Sequence, residues 1–176
     1  MSTNMDVSIR YSTHLPLLIE VMKRTSGDVL ELGPGVFSTP FLHWRCEVEK
    51  RNLLTIESDR KWFNFCRQYY RTPYHKFLHV KKWDDAKEAI NKEWDVAFID
   101  HSPSRRRVVE IAQLANLAKY IVIHDSEERK DYEYHYPSIY PLFKYRFDLG
   151  EFNGIEIDHR TTILSNFIDL KEFKLV

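Results

Sequence analysis

Four acidic residues of this chain sit in or at the ends of short apolar runs. Glu31 lies within Val29-Leu30-Glu31-Leu32, Glu57 follows Leu53-Leu54-Thr55-Ile56, Asp100 follows Val96-Ala97-Phe98-Ile99, and Asp125 follows Ile121-Val122-Ile123-His124. A carboxylate in such a place accepts hydroxyl hydrogens, pairs with a cation or coordinates a hard metal ion. Just after Glu31 come Gly33, Pro34 and Gly35. A backbone without Cβ takes unusual dihedrals and lets a ligand lie against the main chain. Ser38 stands where a Gly-x-Gly-x-x-Gly fingerprint would put its third glycine, and Glu31 precedes the first glycine by two residues. A negative charge beside the turn disfavours a pyrophosphate and favours a cationic group.

S-adenosylmethionine carries such a group, its ammonium, together with a sulfonium. Glu57 follows Gly33 by 24 residues, and an acid at the tip of the second strand is placed to accept both ribose hydroxyls. These residues resemble the class I S-adenosylmethionine-dependent methyltransferase family, whose first motif is an acid, one residue, then Gly-x-Gly, and whose second is the acid ending the next strand. The resemblance runs from about residue 28 to about 166. It implies a cofactor set of Glu31, Gly33, Gly35, Glu57, Ser58, Trp83, Asp84 and Asp100. In the family an acid past the third strand bonds the adenine amino group; Asp84 resembles it, with Trp83 as a stacking partner for the ring. The alternative is that Asp84 or Asp85 caps a helix running to Asn91.

Asp100 and Asp125 end adjacent strands and are oxygen ligands of the type Mg²⁺ prefers. They resemble the first two metal positions of the catechol-type O-methyltransferases, in which an acid-amide pair follows the fifth strand; here the amide is replaced by Ser126, followed by Glu127. The metal reading therefore rests on Asp100 and Asp125 alone, and the alternative is that they contact substrate or cap the next helices. A hydroxyl acceptor needs a base or a metal to remove its proton. Without metal, His101 or His124 is the candidate base, which makes Asp100, His101, His124 and Asp125 the catalytic candidates.

The elements that must position these groups are read from periodicity. Leu15, Leu18, Ile19 and Met22 recur at helical spacing over Thr13 to Lys23, with Pro16 in the first turn. Tyr11 to His14 lie just before, able to fold over the crevice; His14 is either a surface cap or a group at its mouth. Thr39 reads as an N-cap with Pro40 at the first helical position of a helix to about Arg45. Ser58 reads as the cap of a helix from Asp59 to about Tyr70. A third strand covers about Lys76 to Val80, a fourth Trp94 to Asp100 and a fifth Tyr120 to Asp125. Between the last two, Ser102-Pro103-Ser104 opens a helix to about Ala118, with Arg105, Arg106 and Arg107 in its first turn. There the helix dipole disfavours positive charge; Arg106 pairing with Glu110 accounts for it, or an anionic substrate does. Residues 127 to 141 are tyrosine-rich and read as an exposed segment or a substrate lid. Tyr145 to Glu151 and Thr161 to Asn166 read as closing strands, an antiparallel pair as in the family, with a mobile loop from Phe152 to Arg160 containing Asn153 and Gly154. Alternating β and α units predict a single-domain α/β fold, doubly wound, with a mostly parallel seven-stranded sheet and helices on both faces. Within it, residues 1–27 form an N-terminal segment and helix, 28–126 a cofactor-binding core, and 127–176 the lid segment and closing hairpin.

With 26 basic and 26 acidic residues among 176, the chain lacks the net positive charge of a general nucleic-acid binder. Cys46 and Cys66 lack metal spacing and read as thiols of a reducing compartment. There is no apolar run near the ~20 residues that span a bilayer and no signal-peptide core, so the expectation is a cytoplasmic protein, alone or as a homodimer. The reading is a methyltransferase acting on a small-molecule acceptor, a hydroxyl first. Asp100-His101-Ser102-Pro103 does not match the Asn/Asp-Pro-Pro-aromatic signature of amino methylation. A nucleic-acid or protein acceptor, or a methyltransferase-like binding module without turnover, are the alternatives; an NAD-linked oxidoreductase is disfavoured by Glu31 and Ser38.

Overall fold

The computed structural model describes residues 8–152 and 155–175. Seven strands form one sheet: β1 Val29–Leu32, β2 Leu53–Glu57, β3 His75–His79, β4 Trp94–Ile99, β5 Ala118–Ile123, β6 Tyr145–Phe152 and β7 Ile155–Ser165. Their order is β3-β2-β1-β4-β5-β7-β6. The first five are parallel, and β7 runs antiparallel to both β5 and β6. This is the doubly wound α/β architecture expected, and the order reverses between β1 and β4, where such folds open a crevice.

β1, β2 and β4 are buried along their whole length, as apolar runs covered on both faces must be. Side-chain alternation sorts them into two cores. Leu30, Leu32, Ile56, Ala97, Ile99, Ile121 and Ile123 face one core with Ile111 and Leu114; Val29, Leu53, Val96, Phe98 and Val122 face the other with Leu17, Leu18, Leu42 and Cys46. The helices are α1 Leu15–Lys23, α2 Ser38–Glu49, α3 Arg60–Arg67, α4 Arg107–Leu114 and α5 Glu128–Tyr134. Each fully buried Leu or Ile contributes about 1.5–3 kcal/mol. Both cysteines are free and buried.

Several boundaries differ from the sequence expectation. Residues Ile9–Ser12 form a 3-10 turn and α1 starts at Leu15. No long helix follows Asp84; two 3-10 turns do, Trp83–Asp85 and Lys87–Ala89. The helix after Ser104 is also shorter: Ser104–Arg106 is a 3-10 turn, α4 ends at Leu114, and Ala118 already belongs to β5. The tyrosine-rich segment is not a wholly exposed lid. Tyr134 and Tyr136 are core residues while Tyr132 is exposed, so aromatic spacing there reflects packing. The loop expected from Phe152 to Arg160 is largely strand, because β7 pairs with both β5 and β6; Asn153 and Gly154 lie outside the described residues, as do residues 1–7 of the expected N-terminal segment.

Candidate active site at the carboxyl ends of the strands

The turn after β1 is held by Glu31 from beneath. Glu31 is fully buried, its Oε1 accepting hydrogen bonds from Ser38 Oγ at 2.8 Å and Thr39 Oγ1 at 2.9 Å, its Oε2 from Thr55 Oγ1 at 2.7 Å. Burial pushes its pKa up to about 7 against those three donors. This corrects the expected direct partnership with a ligand ammonium: Glu31 ties β1, β2 and the start of α2 together, and its two oxygens are already occupied. Thr39 is not an N-cap either; its hydroxyl accepts from the Gly35 N–H at 2.9 Å, and Phe37 stands at the cap position without a side-chain bond.

Gly33 has φ +88°, and a Cβ there would lie 2.5 Å from His101 Cα. Its glycine requirement therefore comes from the neighbouring strand end as well as from any ligand. At Gly35 a Cβ would meet Ser38 Oγ at 2.9 Å. From the other side Trp62 Nε1 donates to Pro34 O at 2.6 Å, which fastens α3 to the turn.

Glu57 is at the tip of β2. Its Oε1 accepts from the backbone N–H groups of Ser58 and Asp59, both at 2.6 Å. Burial raises its pKa, with those two bonds opposing the rise. Ser58 thus contributes its backbone here, and the cap of α3 is Asp59, which accepts from the Trp62 N–H at 2.7 Å.

Trp83 is buried, 7% exposed, and tilts over the His101 ring at a centroid distance of 3.9 Å while Nε1 donates to Ser102 O at 2.8 Å. His101 thus covers one face of the indole. Asp84 is exposed and pairs with Arg106 at 2.7 Å, which lowers its pKa. Arg106 also bonds Glu110 at 2.8 Å, the pairing expected for the basic turn.

His101 does not face the crevice as a base would. It is 1% exposed beneath Trp83, with Nε2 3.3 Å from Glu110, and burial lowers its pKa against that carboxylate. His124 is engaged at both nitrogens. Thr13 Oγ1 gives its hydrogen to His159 O at 2.8 Å, so His124 Nε2, 3.0 Å away, must be the donor to Thr13. Nδ1 faces Asp100 at 3.4 Å and Asp125 at 3.8 Å. Burial opposes the charged ring, but the Asp100 and Asp125 carboxylates outweigh it and raise its pKa. A ring engaged at both nitrogens is not free to take an acceptor's proton.

The residue that sequence reading left unassigned is Arg107, one of three consecutive arginines. Arg107 is buried; its guanidinium lies 2.9 Å from Asp100 and 3.7 Å from Asp125, and it donates to His101 O at 2.8 Å. Burial would raise the Asp100 pKa, yet Arg107 and then His124 hold that carboxyl well below its usual range. The odd charge in the first turn of α4 was its signal. Asp125 sits in the left-handed region, φ 57°, and pairs with His159 at 2.9 Å. His159 carried no signal in sequence; the antiparallel register of β7 brings it there. His14 packs on Phe98 and edge-on to His124, 2% exposed, with neither ring nitrogen partnered among the described residues; burial and then His124 bring its pKa down to about 3. Two sets of ligand-type side chains converge, Asp100 with His124 and Asp125, and Asp125 with Glu127 and His159.

No family model matches the chain, and no curated protein does. Solved structures do. Cofactor-bound Rv0187 from MTB superposes with a TM-score of 0.68 at 16% identity, covering 94% of this chain and 84% of that one. The N-terminal domain of human METTL16 in complex with SAH gives 0.63 at 12%, covering 93% and 73%. Spermidine synthase in complex with the transition state analogue AdoDATO gives 0.67 at 13%, covering 93% and 61%. A glycine turn gripped by a buried acid, a carboxylate at the next strand tip and a sheet matching these proteins lead to one conclusion: the chain has the fold of the class I S-adenosylmethionine-dependent methyltransferases.

Proposed function

We propose that the protein transfers a methyl group from S-adenosylmethionine to a small-molecule acceptor, a hydroxyl first. The observation that carries this reading is Glu57 at the tip of β2, one strand from the Gly33 to Gly35 turn, at the crevice where the strand order reverses. Support comes from fold neighbours described as cofactor-bound or in complex with SAH. In this reading Glu57 accepts the ribose hydroxyls, while the Gly33 and Gly35 backbone lets the donor lie close. Asp100, Arg107, His124 and Asp125 form the floor beside the methyl group. The acceptor oxygen bonds the methyl carbon as the carbon–sulfur bond breaks, a neutral thioether departs and the hydroxyl proton passes to solvent, so the protein mainly sets near-attack geometry.

The test is a calorimetric titration with S-adenosylmethionine, S-adenosylhomocysteine and NAD. The first two bind and NAD does not. Removing a charge-assisted partner is worth roughly 1.5–3 kcal/mol, so Glu57→Ala weakens donor binding about ten- to a hundredfold with the fold retained. Equal affinity in the variant, or binding of NAD alone, removes the assignment.

A nucleic-acid acceptor is the second reading, favoured by one observation. Arg60, Lys61, Arg67 and Arg71 are exposed along and just beyond α3, beside exposed Tyr69, and none is in an ion pair among the described residues. It predicts binding that weakens steeply with salt, whereas a small-molecule acceptor does not.

A further inference from the structure

Asp100 and Asp125 share a buried cation of the chain itself. The Arg107 guanidinium lies between them, 2.9 Å from Asp100 Oδ1 and 3.7 Å from Asp125 Oδ2. The opposite side of Asp125 is different. There Glu127 and His159 each bring a ligand atom, and with Asp125 the three atoms all lie within 4.8 Å of one another. Donors bound to one ion at ~2.1 Å stand about 3 Å apart when adjacent and about 4.2 Å apart when opposite, by octahedral geometry. His159 Nδ1 and Asp125 Oδ1 are 2.9 Å apart.

Asp100 and Asp125 both face Arg107 and His124. Glu127 is a further carboxylate, in no ion pair among the described residues, and its Oε2 is shielded from solvent with no hydrogen-bond partner there. A buried carboxylate oxygen left so is the group a cation would satisfy.

We propose that Asp125, Glu127 and His159 bind one divalent transition-metal ion. Two carboxylates with an imidazole suit Mn²⁺, Fe²⁺ or Zn²⁺, whereas Mg²⁺ takes oxygen ligands. The Mg²⁺ site expected at Asp100 and Asp125 is replaced by this set. Its catalytic use rests on the methyl-transfer reading; its binding does not. Bound to the ion, an acceptor hydroxyl loses its proton to solvent more readily, and its oxygen then takes the methyl carbon from sulfur. That route suits a site where His101 is enclosed beneath Trp83 and Asp100 is held by Arg107.

The test is titration of the full chain with Mn²⁺, free ion being followed by electron paramagnetic resonance. One Mn²⁺ binds per chain, and Zn²⁺ displaces it. Glu127→Gln and His159→Ala, both at partly exposed positions, each weaken binding at least tenfold, while Asp100→Asn changes it less than threefold. Glu127→Gln and His159→Ala keep wild-type affinity for S-adenosylmethionine, which reports an intact fold. Absence of saturable Mn²⁺ binding overturns the proposal, as do unchanged binding in Glu127→Gln and His159→Ala, tighter binding of Mg²⁺ than Mn²⁺, or loss confined to Asp100→Asn. Mn²⁺ binding by a chain that binds no S-adenosylmethionine would keep the metal site and remove only the methyl-transfer reading.

Discussion

At the scale of single residues, Arg107 organises the candidate site. A buried guanidinium that loses its carboxylates, or carboxylates that lose it, leaves a charge uncompensated, and breaking one side of a buried pair costs about 3–5 kcal/mol. Arg107→Met should therefore lower the urea-unfolding free energy by about that amount. Adding Asp100→Asn should restore part of it, because the second change removes the stranded charge; strictly additive losses in this double-mutant cycle would contradict the pairing. The residue types at the strand tips were legible in sequence: Glu31, Glu57, Asp100 and Asp125 do converge on one edge. Their partners were not. Glu31 turns inward because Ser38, Thr39 and Thr55 offer three hydroxyls at once, an arrangement that requires β1, β2 and α2 to be packed. His101 and His124 follow strand ends in sequence, yet one is roofed by Trp83 and the other pinned by Thr13 and Asp100.

At the scale of elements, the link between α3 and the glycine turn is the one that bears on binding. Asp59 caps α3 through the Trp62 N–H, and the Trp62 side chain donates to Pro34 O. Losing such a cap costs about 1 kcal/mol, so Asp59→Ala should reduce thermal stability by a few degrees. The same loss should weaken donor binding modestly, far less than Glu57→Ala does in a calorimetric comparison. Long apolar strands were the most legible elements, since burial on both faces leaves a continuous hydrophobic run. Short turns were the least. The stretches after Trp83 and Ser104 contain helix-compatible residues, yet the first folds as two 3-10 turns and the second opens with one before α4.

At the scale of the whole molecule, buried titratable groups on both sides of neutrality shape stability. His14 and His75 are brought down to about 3 from 6.5 by burial. The unfolded chain binds those protons first, so their contribution is present above pH 6.5 and is lost as pH falls toward 3, by up to about 1.4 kcal/mol per pH unit for each group. Glu31 acts oppositely. Its pKa is raised from 4.5 to about 7, so its stabilisation is present below 4.5 and is lost as pH rises through 7. Between pH 5 and 6.5 the two histidines outweigh Glu31, so urea midpoints should rise with pH in the wild type and level off near pH 7. In Glu31→Gln the rise should steepen, because the opposing group is gone; an unchanged slope would contradict the raised Glu31 pKa. The sequence by itself determined the α/β alternation, the parallel core and the acidic strand tips, because hydrophobic period and turn glycines are local properties of the chain. The tertiary structure alone decided which acids face inward, which histidines are buried, and that Arg107 on one side and His159 on the other meet Asp125. Those depend on burial and on charges brought together from distant elements, which no local pattern encodes.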